Sequence, residues 1–127
     1  MGQKFLIDTN TIIDFLGNKM PDEAAAFLDN IEPIISVITR IESLGWLGST
    51  SKQLAALTVY INAGIILPLD ELVILKTIEP RQNHRIKTPD AIIAATALVN
   101  DFTLISRNVD DFKKIPALKF LNPFTDL

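Results

Sequence analysis

The chain has no cysteine and a single histidine. Without cysteine it can form neither a disulfide bond nor a thiolate metal site, and this absence favours a cytosolic location. Its apolar runs are only a few residues long, whereas a membrane-spanning helix needs about 20. The N-terminal segment also lacks the apolar core and cleavage site of a signal peptide. The sequence therefore predicts a cytoplasmic protein with no membrane segment and no thiol-based chemistry.

A strong positive charge is also absent, since the net charge is −3. The overall balance therefore does not indicate a nucleic-acid-binding protein. Residues 81–87 nevertheless carry three positive charges and no acid. They form either a solvated loop between helices, with His84 as an ordinary loop residue, or a segment that contacts phosphates. The length of 127 residues and the hydrophobic content of 48% predict one globular domain over residues 1–127.

Short apolar strands alternate with helical segments along the chain. The predicted strands are residues 4–8, 33–38, 64–69, 102–106 and 118–122. The predicted helices cover residues 11–16, a segment that starts at 21, and residues 39–48, 51–63, 71–78 and 88–100, with Asp70 and Thr88 as caps of the last two. This alternation indicates an α/β architecture with a mainly parallel sheet, covered on both faces.

Acids occur where strands give way to helices. Asp8 ends the first strand, Glu42 follows the second, Asp90 lies in a first helical turn, and Asp111 follows the fourth strand. Each acid alone has a structural explanation as a helix cap or a partner of the helix dipole. Because parallel strands present their carboxyl ends at one edge of a sheet, these acids are expected to converge. Adjacent carboxylates repel one another, and a hard divalent cation relieves that repulsion.

Four motifs in order carry a family resemblance. They are LIDTN at 6–10, S-x-x-T-x-x-E at 36–42, PDAIIAATAL at 89–98 and SRNVDDF at 106–112. Together they resemble a PIN-domain ribonuclease, and more narrowly a VapC-type toxin of a type II toxin–antitoxin module. The resemblance implies a Rossmann-like, three-layer α/β/α sandwich with a small, mainly parallel sheet. It also implies an endoribonuclease that depends on Mg²⁺ or Mn²⁺.

The resemblance transfers onto particular positions. Asp8, Glu42 and Asp90 match the three main acids, and Asp111 is the expected fourth because Asn108 occupies the position where some relatives have an acid. The supporting polar residues are expected to be Thr9, Asn10, Ser36, Thr39 and Asn108. Ser43 departs from the pattern, since an aliphatic residue is commoner there, and should alter packing more than chemistry.

The predicted chemistry is metal-assisted hydrolysis of an RNA phosphodiester bond. Asp8 and Asp90 would hold the principal ion, and Glu42 and Asp111 would complete the acidic pocket, directly or through water. Asp14 has no motif to join and is predicted to be solvated. The possible RNA contacts are Arg40, Arg85, Lys87 and Arg107. For Arg40 and Arg107, a salt bridge to one of the acids is the alternative.

Partners and rival functions follow from the same pattern. The resemblance implies a homodimer and a cognate antitoxin that covers the active-site groove. Apolar residues within 44–61 belong mostly to the core, with an interface as the alternative: Trp46, Leu47, Leu54, Leu57 and Tyr60. Rival functions are a non-catalytic binding partner and an RNA-processing nuclease outside any toxin–antitoxin module. A phosphotransfer hydrolase of the haloacid dehalogenase type is disfavoured because Asn10 stands in place of its second Asp, and the acidic pair of a receiver domain is missing.

Overall fold

Strands and helices alternate through residues 2–127, the part of the chain that the structure, a computed structural model, describes. The elements in chain order are β1 (Phe5–Ile7), α1 (Thr9–Leu16), α2 (Asp22–Asp29), β2 (Ile34–Ser36), α3 (Val37–Leu44), α4 (Ser51–Asn62), β3 (Ile65–Leu67), α5 (Glu71–Asn83), α6 (Thr88–Asn100), β4 (Thr103–Ile105), α7 (Val109–Phe112) and β5 (Phe120–Leu121). Within residues 2–127, no helix is long and apolar enough to cross a bilayer.

The strands pair in parallel. One sheet has the order β1-β4-β5 and a second pairs β2 with β3, while β1 also lies against β2. In the central pair, Phe5 lies opposite Thr103 and Ile7 opposite Ile105. Because neighbouring strands run in the same direction, the residues that follow β1 and β4 emerge at the same edge.

Side chains that alternate along the strands supply a core on each face of the sheet. Leu6 of β1 and Leu104 of β4 pack on the side of α6 and α7. Their neighbours Ile7 and Ile105 point the opposite way, into a core shared with α1, α2 and α4. Helices therefore cover both faces, and the predicted three-layer α/β fold with a small parallel sheet is confirmed.

Helix α5 is longer than the sequence predicted. The prediction ended it near Ile78 because Pro80 lacks the backbone N–H that continues a helix, yet the helix runs to Asn83. Pro80 is buried, and its carbonyl accepts the His84 backbone N–H at 2.8 Å. The interpretation of residues 81–87 as a loop was therefore wrong in part, since residues 81–83 belong to the helix.

The helix starts also differ from prediction by small amounts. Helix α1 begins at Thr9, directly after Asp8, instead of near Thr11. Helix α3 covers Val37–Leu44, not residues 39–48. Thr88 is the first residue of α6, not its cap, and Lys87 takes the cap position without a side-chain bond. The Thr88 hydroxyl instead accepts a hydrogen bond from the Arg81 guanidinium.

Candidate active site and metal centre

Asp8 stands at the junction of β1 and α1, and its carboxylate is buried. Its backbone N–H continues the sheet by donating to the Ile105 carbonyl at 3.1 Å. Its Oδ1 caps α1 by accepting the Thr9 N–H at 2.8 Å, and its Oδ2 accepts the Ser106 hydroxyl at 2.7 Å. A carboxylate oxygen has two lone pairs. Each oxygen of Asp8 therefore keeps acceptor capacity for a cation.

Ser106 directs its hydroxyl proton at Asp8. Its Oγ accepts the Asn108 backbone N–H at 3.0 Å while lying 2.7 Å from Asp8 Oδ2. A serine hydroxyl has one proton, and here that proton goes to the carboxylate. Ser106 is fully buried, so this hydrogen bond is shielded from water. The segment after β4 thus reaches the acid at the end of β1.

Thr9 connects Asp8 to the acid of α3. Its Oγ1 donates to Glu42 Oε1 at 2.8 Å and lies 3.1 Å from the buried Thr39 Oγ1. Thr39 and Glu42 lie three residues apart on α3, so they share one face of the helix. The carboxylate of Glu42, an exposed residue, is therefore held toward Asp8 by a threonine pair.

Asp90 and Asp111 form the other half of the acidic cluster. Asp90 lies in the first turn of α6, where Pro89 precedes it. Burial, together with the charges of Asp111 and Glu42, raises the pKa of Asp90, and nearby Lys87 acts in the opposite direction. The charges of Glu42 on α3 and Asp111 on α7 are thus close enough to Asp90 to raise its pKa.

Asp111 itself is bound on two sides. Its Oδ2 accepts the Asn108 Nδ2–H at 3.1 Å, and its Oδ1 lies 3.5 Å from Lys114 Nζ. Lys114 also donates to the Arg85 carbonyl at 3.2 Å. The neighbouring Asp110 is different, since its exposed side chain faces Lys113 at 3.7 Å.

The pKa of Asp8 is also raised by its burial and by the nearby carboxylates. Burial is the main reason that the pKa of Asp8 rises from 3.8 to about 6, and the charges of Asp90 and Glu42 add to that rise. Hydrogen bonds from Ser106 and Thr9 oppose it. A repelling set of carboxylates at a partly buried site is the environment that a hard cation stabilises.

The donor chemistry of the cluster fits Mg²⁺ or Mn²⁺. Across residues 2–127, no group of three or more acidic or histidine side chains is arranged to hold a metal ion by itself. Mg²⁺ in proteins usually takes one or two carboxylates and keeps several waters, so an open arrangement suits it. In the same residues, Asp8, Glu42 and Asp90 have no salt bridge within 4.0 Å, which leaves their charge for a cation.

The remaining predicted residues do not contact the acids. Ser36 is buried and caps α3 by accepting the Ile38 N–H at 3.1 Å. Asn10 is exposed, with no side-chain hydrogen bond within residues 2–127. Arg40, Arg85 and Lys87 are exposed, and the charge of Lys87 acts to lower the pKa of Asp90.

The prediction that Asp14 is solvated was wrong. Asp14 is 7% exposed, and its Oδ2 accepts the Arg107 Nε–H at 2.7 Å. No local pattern indicated this pair, because 93 residues separate its members. Arg107 therefore has a salt bridge, but to an acid outside the motifs.

Two site residues were missed by the sequence analysis. Ser106 was quoted within the fourth motif without a role, although its place directly after a strand that ends beside Asp8 was an available signal. Lys114 lies three residues after Asp111, the spacing that brings helical side chains together. Its contact with Asp111 could have been inferred from that spacing.

Fold and site together define the class: an α/β/α protein with four acids gathered at the carboxyl ends of parallel strands. The PIN domain family model matches residues 5–118, and the chain belongs to the PIN domain family. A search of curated proteins found no match.

Solved structures resemble the chain over nearly all of its length. A chain of a toxin–antitoxin complex from Klebsiella pneumoniae is 29% identical, with a TM-score of 0.75 over 95% of this chain and 98% of that one. A chain of DNA-bound VapBC from Salmonella typhimurium is 25% identical, with a TM-score of 0.80 over 96% of this chain and 99% of that one. A chain of FitAcB from Neisseria gonorrhoeae is 27% identical, with a TM-score of 0.76 over 95% of this chain and 99% of that one. The resemblance to VapC-type toxins is thereby confirmed.

Proposed function

We propose that this protein is a divalent-metal-dependent endoribonuclease and the toxin of a toxin–antitoxin pair. The observation that carries the proposal is the convergence of Asp8, Glu42, Asp90 and Asp111 from four separate segments. Burial and mutual repulsion raise the pKa of Asp8 and of Asp90. Perturbed carboxyls gathered at the ends of parallel strands are typical of a functional site.

Each residue has a defined part in this proposal. Asp8 and Asp90 hold Mg²⁺ or Mn²⁺, and Glu42 and Asp111 complete the pocket directly or through water. Ser106 orients Asp8, as the hydrogen-bond geometry supports. When bound, the ion would polarise a phosphoryl oxygen and lower the pKa of an attacking water.

Thr9 and Asn108 hold the two outer acids of the pocket. Thr9 fixes Glu42 and Asn108 fixes Asp111 through single hydrogen bonds. Such partners keep ligands in place and restrict their rotamers. The Thr39 hydroxyl contacts the Thr9 hydroxyl, and Ser36 caps α3, the helix that carries Glu42.

The RNA substrate is proposed to lie along exposed cations near the acids. Arg40 precedes Glu42 on α3, and Lys87 directly precedes α6 and influences Asp90. Arg85 and the half-exposed Arg107 extend this set. Lys and Arg side chains supply the phosphate contacts on which nucleic-acid affinity mainly depends.

An antitoxin partner is proposed from the relatives, whose names describe toxin–antitoxin complexes. Such a partner would cover the acids and place a basic side chain near them. The domain boundary at 1–127 and a cytosolic location stay predictions.

A homodimer is also proposed, and α5 offers the surface for it. Five apolar side chains, here called the α5 apolar face, are exposed by 38–65%: Leu69, Leu72, Ile74, Leu75 and Ile78. Three of them, Leu69, Ile74 and Ile78, line a groove of about 390 Å³ that Thr88 and Ile92 of α6 also border. Contiguous exposed apolar surface indicates an interface. The predicted stripe within 44–61 is weaker, since Leu57 belongs to the core and only Leu47 and Leu54 are exposed.

The nuclease proposal is tested by cleavage of a fluorescent single-stranded RNA by the purified chain. We expect cleavage with Mg²⁺ or Mn²⁺ and none in EDTA. Asp90→Asn should lower the rate by roughly 100-fold or more, because loss of a supporting partner alone costs about 10–100-fold. Asp110→Asn is the matched control, since this exposed acid lies outside the cluster. Equal cleavage in EDTA, or by the Asp90→Asn variant, would refute the proposal.

A further inference from the structure

An ion pair between a buried carboxylate and a half-exposed guanidinium joins α1 to the segment after β4. Asp14 lies on α1, six residues beyond Asp8, and its side chain is 9% exposed. Its Oδ2 accepts the Arg107 Nε–H at 2.7 Å. A hydrogen bond at this distance between two charged groups is among the stronger side-chain contacts in proteins. It ties together two segments that are distant in sequence.

Arg107 stands between the two residues that contact the acids. Ser106, before it, donates to Asp8, and Asn108, after it, donates to Asp111. The Asn108 backbone N–H also donates to Ser106 Oγ at 3.0 Å. A rotation of this three-residue segment would break the bonds to Asp8 and to Asp111. Its position therefore decides whether both acids are oriented.

The side chain of Arg107 is the anchor of this segment to α1. The backbone of Ser106 is fixed on the other side by its N–H bond to the Leu121 carbonyl at 3.0 Å. Next to the anchor, the Thr11 hydroxyl of α1 donates to the Ile105 carbonyl at 3.1 Å. Helix α1, which Asp8 caps, is thus hydrogen-bonded to the end of β4 through Thr11 and to the segment after β4 through Asp14. The contact of Asp14 is the charged one of the two.

We propose that Asp14 is a positioning residue that, through Arg107, holds Ser106 and Asn108 against the metal-binding acids. The inference rests on the proposed function, since it concerns the affinity of the same acids for a divalent ion. Asp14 itself touches neither substrate nor ion in this role. Its carboxylate acts by fixing the guanidinium and with it the segment after β4.

The test is Mn²⁺ binding to the purified chain without RNA, measured by isothermal titration calorimetry at pH 7.5. Asp14→Asn and Arg107→Gln should each weaken Mn²⁺ binding by about 10-fold, the lower end of the effect of losing a ligand's supporting partner. The double variant should be no weaker than either single variant, because both remove one contact. Asp101→Asn is the control. This substitution removes an exposed ion pair with Lys119. The Mn²⁺ affinity of the Asp101→Asn variant should stay within about 2-fold of that of the unaltered chain.

Charge alone predicts a different pattern, which makes the experiment decisive. Removing the positive charge of Arg107 would tighten the binding of a cation by simple electrostatics, and removing the negative charge of Asp14 would weaken it. Positioning requires that both variants weaken it. Tighter or unchanged binding by Arg107→Gln therefore overturns the inference.

Two further outcomes are separable. If Asp14→Asn does not fold, Arg107→Gln decides the question, because it replaces a side chain that is 50% exposed with a neutral polar one. If the unaltered chain itself binds no Mn²⁺, the proposed function fails, and the positioning role fails with it. Binding by the unaltered chain with equal affinity in both variants refutes the positioning role alone.

Discussion

Replacing Asp8 with asparagine is expected to stabilise the metal-free protein at pH 8. The pKa of Asp8 is about 6 in the folded chain, against an ordinary value of 3.8. The difference is about 2 pKa units, and each unit corresponds to about 1.4 kcal/mol. Ionisation of Asp8 therefore lowers the free energy of unfolding by roughly 3 kcal/mol. The asparagine side chain resembles the protonated acid and avoids this loss.

The sign of the pH dependence follows from the direction of the shift. A carboxyl whose pKa is raised on folding stabilises the fold below the unfolded value, near pH 4, and that contribution is lost as the pH rises through 6. The amide cannot accept from both Thr9 and Ser106 as the carboxylate does, and one lost hydrogen bond costs about 1 kcal/mol. The net gain of Asp8→Asn should therefore be about 2 kcal/mol at pH 8 and should vanish between pH 6 and pH 4.

Thermal unfolding in EDTA at pH 8, 6 and 4.5 measures this effect. A gain of about 2 kcal/mol corresponds to a rise in Tm of about 5–10 °C for a chain of this size. Asp110→Asn should leave Tm unchanged, because that side chain is 95% exposed. Mn²⁺ should raise the Tm of the unaltered chain and not that of the Asp8→Asn variant. An Asp8→Asn variant that melts at or below the unaltered chain at pH 8 in EDTA would refute the reasoning.

Three other substitutions test separate features. Thr9→Val removes the hydroxyl that holds Glu42 and should lower RNA cleavage by about 10-fold. It should also lower Tm, because the buried Thr39 hydroxyl loses its partner; unchanged cleavage would contradict the role of Thr9. Ser43→Ala removes a buried hydroxyl that has no hydrogen-bond partner among the described residues. It should raise the free energy of unfolding, measured by urea titration, by about 1 kcal/mol. A lower free energy of unfolding would show that this hydroxyl is hydrogen-bonded in solution. Leu75→Glu should dissociate the proposed dimer in light scattering, with Val59→Glu, an exposed change on α4, as control; a dimer that persists would exclude the α5 apolar face.

The alternation of strands and helices could be predicted because its cause is local. Side chains alternate along a strand, so Leu6 and Ile7 pack into cores on opposite faces of the sheet. Capping residues and prolines mark where helices begin. The positions of Asp8 and Asp90 at strand and helix ends followed from the same local signals. The three-layer order then followed from the general behaviour of parallel sheets.

The remaining features depend on contacts between distant residues. Asp14 looked like a solvated helical acid, and only the approach of Arg107, 93 residues away, explains its burial. The hydrogen bond from Ser106 to Asp8 spans 98 residues. The length of α5 was underestimated because Pro80 is a poor helix former locally but is buried in the folded chain. No pattern within a short window contains this information.

The order of strands in space has a consequence for synthesis. The central strand of the three-stranded sheet, β4, comes late in the chain, whereas its neighbour β1 comes first. In a chain made from its N-terminus, β1 therefore lacks the partner strand that brings Ser106 to Asp8 until residues 103–105 have been made. The acidic pocket forms only after β4 has left the ribosome. Under the proposed function, the nascent protein cannot cleave the message from which it is read until β4 and Asp111 have been made.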